Sequence, residues 1–390
     1  MYLSDCSLFS VPFRRGRVAT AKIVLEYRKR PLQGFTSYSV ARWPQFHPNM
    51  ITFFPTYAQW IEATGVWRVN IHGMVTRPLP VASRRRTVAY AVVKRLLKLD
   101  EGQLRSPIFQ ARSETFLFQR ISGQSVQITL GGKLIDVGIS KRTGHFEINF
   151  DLDAQAVSES VVETPFGQKL CFESVDEDLG STPVTTPGSV QLIHPSGISI
   201  ISDIDDTVKF TNVADRRELL ANTLLREFVP IPDMVDLYKR WSLSGAAFHY
   251  VSASPWQLTK PLNDFFHSAG LPDGSMHLKL FRLKDSTPLG RMRSSKKSKQ
   301  DVIIEILDNF PDRKFILVGD SGERDPEVYA KVAQQRRAQI AGVAIRRVPS
   351  RRSKQKVESA LKILTQAVPS DRLRVFTSAD EISDLFSVKE

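Results

Sequence analysis

The sequence predicts an α/β protein: a domain built on a parallel sheet, preceded by a smaller β-rich, sandwich-like module. Two observations carry this. Beyond residue 190, near-continuous apolar runs alternate with helix-like segments, the pattern of a parallel sheet covered on both faces. Before residue 178, short strands of alternating polarity are separated by glycine turns, the pattern of a sandwich-like module. Between them, "EDLGSTPVTTPGSV" is rich in Pro, Gly, Ser and Thr and reads as a linker. The expected division is a module over 1–177, a linker over 178–190 and the parallel-sheet domain over 191–390.

In the first part, "VWRVNIHGMV", "SVQITLGGKLIDVGIS" and "HFEINFDL" alternate as half-buried strands do. One helix is expected among them, "TVAYAVVKRLLKL", from its apolar spacing. In the second part the strand-like runs are "VQLIHPSGISIISDID", "GAAFHYVSAS", "FILVGDS" and "IAGVAIRRV". The helix-like segments between and around them include "RRELLANTLLREFV", "MVDLYKRW", "LNDFFHSAG", "KQDVIIEILDNF" and "PEVYAKVAQQR". No internal repeat is present.

The chain has 390 residues, 42% hydrophobic and 24% charged, ordinary for a soluble globular protein. No apolar run reaches the roughly 18 residues of a membrane-spanning helix, so no transmembrane segment is expected. The start lacks a basic stretch followed by an apolar one, so a cleaved signal peptide is not expected. Cys6 and Cys171 form neither a metal spacing nor a disulfide framework, and a reducing, cytoplasmic setting fits. Lys and Arg outnumber Asp and Glu 54 to 41, a net charge of +13 that favours anionic partners. Basic bunches occur at 14–17, 83–86, 291–299 and 345–356. They lack the interleaved aromatics of a base-stacking platform, so nucleic acid is not expected as a partner.

Chemistry concentrates where the apolar runs end. "SDIDDT" follows the first run, "SAS" the second and "GDSGERD" the third. Open parallel sheets build their sites at the carboxyl ends of the strands. An acidic turn explains any one cluster, but not easily all three. Asp203 and Asp320 can share a cation there. Clustered carboxylates repel unless a cation sits between them, and a small oxygen-only ligand set suits Mg2+. No His or Cys set competes for zinc. A carboxylate beside Mg2+ can attack phosphorus, with a second acid protonating the leaving oxygen. A lysine and short hydroxyls would clamp the phosphoryl oxygens. Candidates are Ser252 or Ser254, and a lysine of "SSKKSKQDVII".

"DIDDT", "VSASP", a lysine opening a helix and "GDSGERD", in that order, resemble the haloacid dehalogenase superfamily of phosphotransferases. "SIISDIDDTVKFTNV", "FHYVSASPWQL", "FPDRKFILVGDSGERDPEVY" and "AIRRV" resemble, more narrowly, the catalytic domain of the actin patch protein family of Mg2+-dependent phosphatidate phosphatases. The resemblance covers residues 190–350 and extends weakly into the amino-terminal module. It implies a doubly wound parallel sheet of haloacid dehalogenase type. It implies hydrolysis of phosphatidate to diacylglycerol through an aspartyl-phosphate, by a peripheral protein acting on anionic lipid at a membrane. Asp203 would be nucleophile and Mg2+ ligand. Asp205 would be general acid and then base, with its backbone carbonyl on the metal. Thr207, Ser252 and Lys299 would hold phosphoryl oxygens, and Asp320 would ligate Mg2+ with Asp325 in support. Lys299 is preferred over Lys296 and Lys297 because, counted back from "FP", it falls at the family's lysine position. A soluble phosphomonoester as substrate, or a non-catalytic lipid-binding module, are the alternatives.

Neighbouring residues have simpler readings. Asp206 caps the turn or the next helix. Trp256 packs beside the site, and His249 is a core histidine. Gly319 and Gly322 permit a tight strand-to-loop turn. His277 and Lys279 face the substrate or the surface.

Overall fold

In the computed structural model, residues 49–175, 185–279, 298–350 and 352–386 are described. The β-rich module begins with β1 (Met50–Phe53), β2 (Thr56–Ile61) and β3 (Val66–Pro78). Helices α1 (Arg84–Leu97), α2 (Glu101–Leu104) and α3 (Pro107–Glu114) follow. Then come β4 (Phe118–Arg120), β5 (Ser125–Leu130), β6 (Lys133–Ile139), β7 (His145–Asp153), α4 (Ala154–Ser158), β8 (Val161–Thr164), β9 (Gly167–Val175) and β10 (Pro187–Ile193). These strands form one hydrogen-bonded sheet ordered β1-β3-β2-β10-β9-β5-β6, with β4 and β7 on β3 and β8 on β9. Val69, Ile71 and Val75 share one face of β3, as a period of two requires. They pack with Val126, Ile128, Phe146 and Phe172.

The helical stretch is longer than its apolar period predicts. The one expected helix starts earlier, at Arg84, and two short ones follow. Asp100 and Gln103 form a reciprocal capping box for α2, and Ser106 caps α3 ahead of Pro107. Both are too short to show a helical apolar period, but their caps stand in the sequence.

The second part contains β11 (Ile198–Ser202), β12 (Lys209–Phe210), α5 (Arg216–Leu224), β13 (Val229–Pro230), α6 (Pro232–Leu243) and β14 (Ala247–Pro255). It continues with α7 (Thr259–Ala269), β15 (Ser275–Lys279), α8 (Lys299–Asn309), β16 (Lys314–Asp320), α9 (Asp325–Gln335), β17 (Ile340–Arg346), α10 (Lys354–Ala367) and β18 (Leu373–Phe376). Six strands form a sheet ordered β15-β14-β11-β16-β17-β18, and every neighbouring pair is parallel. Chain order thus runs outward in both directions from β11, which puts a crevice at the carboxyl ends beside it. Alternate residues serve opposite faces. Ile200, Phe248, Ile316 and Val318 pack with α6 and α7, while Ile201, Val251, Phe315 and Leu317 pack with α8, α9 and α10.

The run "VQLIHPSGISIISDID" is two strands rather than one. Residues 187–190, the end of the expected linker, begin β10, which pairs with β9 and β2. The chain then turns through His194–Gly197, where Gly197 adopts φ 109°, and enters the other sheet as β11. Arg313 holds this turn. Its guanidinium donates to the carbonyls of His194, Ser196 and Ile198 and to Ser199 Oγ. The strands β15 and β18 complete the sheet; neither was among the apolar runs of the sequence.

The two sheets are also joined near the site. Met276 N donates to Pro55 O at 2.9 Å. The Tyr57 ring packs against His249 and Phe310, and its hydroxyl accepts from Asn309.

Candidate active site

Three adjacent strands, β14, β11 and β16, end at one edge and deliver Ser252, Asp203 and Asp320. Asp203 directly follows β11, and its N–H donates to Val318 O at 2.9 Å. That bond extends the β11–β16 pairing and fixes the start of the loop. Asp320 is the last residue of β16, Asp325 the first of α9 and Lys299 the first of α8.

Carboxylate oxygens of Asp203, Asp320 and Asp325 lie within 4.8 Å of one another, and all three residues are buried. Lys299 Nζ donates to Asp203 Oδ1 at 2.8 Å and to Asp325 Oδ1 at 2.6 Å. Asp320 Oδ1 accepts from the N–H groups of Gly322 and Glu323 at 2.6 and 3.0 Å. The other oxygens of Asp203 and Asp320, both Oδ2, are buried with no hydrogen-bond partner among the described residues, as is Thr207 Oγ1. Lone acceptors in a buried site cost free energy unless a ligand meets them.

The electrostatics are compatible with a cation bound among these carboxylates. Burial raises the Asp203 carboxyl well above its usual range; Lys299 offsets this in part, and Asp325 adds to it. Asp320 is pushed up to about 8 by burial and by the charges of Asp325 and Glu323. Glu323 rises to about 7 from burial and Asp325. Burial works against the Lys299 ammonium, but Asp203 and Asp325 hold its pKa well above the ordinary lysine value. An oxygen-only donor set with two unpartnered carboxylate oxygens fits Mg2+.

Asp205 stands apart from that cluster. Its Oδ1 meets Lys209 Nζ at 2.7 Å and Thr211 Oγ1 at 2.7 Å. Its Oδ2 accepts from Ser254 Oγ at 2.6 Å and Ser252 Oγ at 3.3 Å. Burial pushes its pKa up, yet Lys209 and these hydroxyls more than reverse it, to about 2. Ser252 and Ser254 thus face Asp205. Lys209 and Thr211 were not candidates from the sequence. The signal was present, since a lysine four residues after Asp205 is the nearest cation that can follow it into a buried loop.

Asp206 is a cap, as its position suggested. Its carboxylate accepts from the backbone N–H groups of Thr211, Asn212 and Val213, each at 2.7–2.8 Å. Its own φ of 56° turns the chain over. Gly322 lies in the turn directly after β16, as expected, while Gly319 is within the strand, and neither has a positive φ. A Cβ on Gly319 would lie 2.2 Å from Asp325 Oδ2, and one on Gly322 would lie 2.9 Å from Asp320 Oδ1. They are small so that two carboxylates can approach the backbone. His249 is fully buried, with Nδ1 2.7 Å from Ser275 Oγ. Burial first, then His277 and Arg313, keeps it neutral. Trp256 is 5% exposed and packs on Phe54 and Phe118 of the β-rich module. His277 and Lys279 line the cleft beside the site. Lys296 and Lys297 lie outside the described residues.

No helix among the described residues is long and apolar enough to cross a membrane. Among curated proteins, the phosphatidate phosphatase APP1 of Saccharomyces cerevisiae is 37% identical over 168 residues, 42% of this chain and 28% of that protein. An uncharacterized protein of Schizosaccharomyces pombe is 34% identical over 165 residues, 41% of this chain and 27% of its own. The chain therefore spans under a third of the length of each of these relatives. Among solved structures, a PilB minor pilin of Streptococcus sanguinis aligns at 8% identity with a TM-score of 0.27, covering 78% of this chain and 94% of its own; similarity at that level carries no argument. Residues 198–347 match the family described as phosphatidate phosphatase APP1, catalytic domain. That span contains Asp203, Asp205, Thr207, Ser252, Lys299, Asp320 and Asp325.

Proposed function

We propose that the protein is a Mg2+-dependent phosphatidate phosphatase with a catalytic domain of haloacid dehalogenase type, releasing diacylglycerol and phosphate. The observation that carries the reading is Asp203 Oδ2, buried at the carboxyl end of β11 without a partner among the described residues, within a segment that matches the phosphatidate phosphatase family. In this reading Asp203 attacks phosphorus, the bond from phosphorus to the glycerol oxygen breaks, and an aspartyl-phosphate forms on Asp203. Water then attacks that phosphorus, frees inorganic phosphate and restores the carboxylate. Asp203, Asp320 and Asp325 would hold Mg2+, with the backbone carbonyl of Asp205, and the ion would screen the repulsion between carboxylate and phosphate. Thr207, whose hydroxyl lacks a partner among the described residues, and Lys299 bind phosphoryl oxygens.

Asp205 serves as proton donor and then as base. With its pKa near 2 it is ionised in the arrangement seen. An approaching phosphate dianion opposes that charge and raises its proton affinity, so that Asp205 takes a proton from solvent and passes it to the leaving glycerol oxygen. The same approach draws Ser252 from Asp205 to the substrate. A peripheral, cytoplasmic setting on an anionic membrane accords with the net charge of +13.

The test is phosphate release from phosphatidate in mixed micelles and from a panel of soluble phosphomonoesters, each with and without Mg2+. Turnover of phosphatidate above the panel, dependent on Mg2+, is expected. A clear preference for the soluble panel sinks the lipid assignment.

A further inference from the structure

The candidate site does not end at the catalytic domain. Ser252, Lys299 and Asp325 line a cleft of about 1970 Å3 whose other side is formed by β2, β3 and β7 of the β-rich module, with Phe54, Lys141 and His145 among its walls. That volume exceeds the roughly 300–1,000 Å3 of a pocket for a drug-sized ligand, and a phosphoryl group alone fills little of it. The far wall is not a loose neighbour. Trp256, two residues after Ser254, packs its ring 5.9 Å from Phe54 and 6.3 Å from His145. Met276 N, on the cleft, donates to the carbonyl of Pro55, next to Phe54. These ring contacts and this hydrogen bond tie the two walls to each other.

Phe54 is part-exposed on the cleft, with the buried Trp256 packed against it. The module's side otherwise carries polar residues, among them Arg68, Asn70, Glu147 and the exposed Lys141. We propose that the β-rich module supplies the second wall of the substrate site. A phosphomonoester with a large apolar body places its phosphate at Lys299, lays that body against Phe54 and is drawn in by Lys141. The inference rests on the phosphatase reading of the same site, and it assigns to the module a role in choosing large substrates over small ones.

The test uses the full chain carrying Asp203→Asn, in Mg2+, with two soluble ligands: monomeric dioctanoyl phosphatidate and glycerol 3-phosphate. Burial of acyl chain on the module predicts that the lipid binds at least about tenfold more tightly. Adding Phe54→Ala should remove most of that advantage. Adding Lys141→Glu, at an exposed position where folding is not at stake, should weaken the lipid several-fold. Equal affinity of the parent for both ligands, or lipid affinity unchanged in both wall variants, overturns the proposal. Phosphate release from 4-nitrophenyl phosphate by the unmutated chain tests the chemistry separately. Its absence, with lipid binding kept, removes the phosphatase reading and leaves the wall; its presence, with equal affinities, removes only the wall.

Discussion

Lys209 Nζ lies 2.7 Å from Asp205 Oδ1, and the two side chains are 2% and 11% exposed. Both belong to one tight loop, in which Asp206 N also donates to Lys209 O. The loop buries its own counterion and so can carry an ionised carboxylate into the protein. Thr211, Ser252 and Ser254 complete the carboxylate's partners. Removing one member of a buried pair costs about 3–5 kcal/mol, because the other charge is left alone. Lys209→Met should therefore lower the urea midpoint of unfolding strongly with no change in slope. Asp205→Asn on that background should restore part of the loss. Equal destabilisation in the single and double variants would show that the pair is not coupled.

Asp203→Asn keeps shape and removes the proposed nucleophile. Mg2+-dependent phosphate release should fall by at least about 10³-fold, while the thermal midpoint stays level or rises. Burial disfavours the Asp203 charge, so its loss does not weaken the fold. Activity within a few-fold of the parent would remove Asp203 from that role.

Gly319→Ala tests the approach of Asp325 to the end of β16. The new Cβ would sit 2.2 Å from Asp325 Oδ2 and 2.9 Å from its Cβ, so α9 must shift or Asp325 must turn away from Lys299. Loss of activity by about 10²-fold is expected from displacement of a site group on the ångström scale. The measurement is Mg2+-dependent turnover together with a melt showing a folded chain.

Asp320 links the site to pH. Its pKa is about 8 when folded against an ordinary 3.8. The native state therefore binds more protons than the unfolded chain between those values, and stability falls as pH rises from about 4 to about 8. Asp203 and Glu323 act in the same direction. In chelator, the thermal midpoint should drop between about pH 5 and about pH 8. Millimolar Mg2+ should recover it, since an ion bound only by the native state stabilises it by mass action. Asp320→Asn should flatten the pH slope and blunt the response to Mg2+. A midpoint indifferent to Mg2+ at the higher pH would argue against a cation among these carboxylates.

The sheet edge was legible because each site strand is an apolar run that ends in charge: "ISIISDIDD", "FHYVSAS" and "FILVGDS". Short elements were not. The strand Ser275–Lys279 is half polar, and α2 and α3 are too short to show a period. Strand β10 was hidden because its apolar residues run on into those of β11, and only Gly197 and the Arg313 clamp separate the two sheets. Gly322 lies in the expected turn, but Gly319 is in the strand, where its need for space comes from Asp325, a residue of the following helix.

By itself, the order of residues determined that Asp203 and Asp320 stand at the carboxyl ends of two strands of one parallel sheet, with Asp205 in the loop after the first. Strand direction and the period of two follow from local pattern, and carboxyl ends of adjacent parallel strands meet by geometry. Only the tertiary structure decided how the charges divide. Desolvation raises Asp203 and Asp320, with Asp325 adding to both, and one oxygen of each has no partner among the described residues. Lys209, with the hydroxyls of Ser254 and Thr211, lowers Asp205. A carboxylate's charge is set by what surrounds it in space: Asp320 and Asp205 meet their main charged neighbours within five positions, but Ser254 reaches Asp205, and Lys299 reaches Asp203, across 49 and 96 positions.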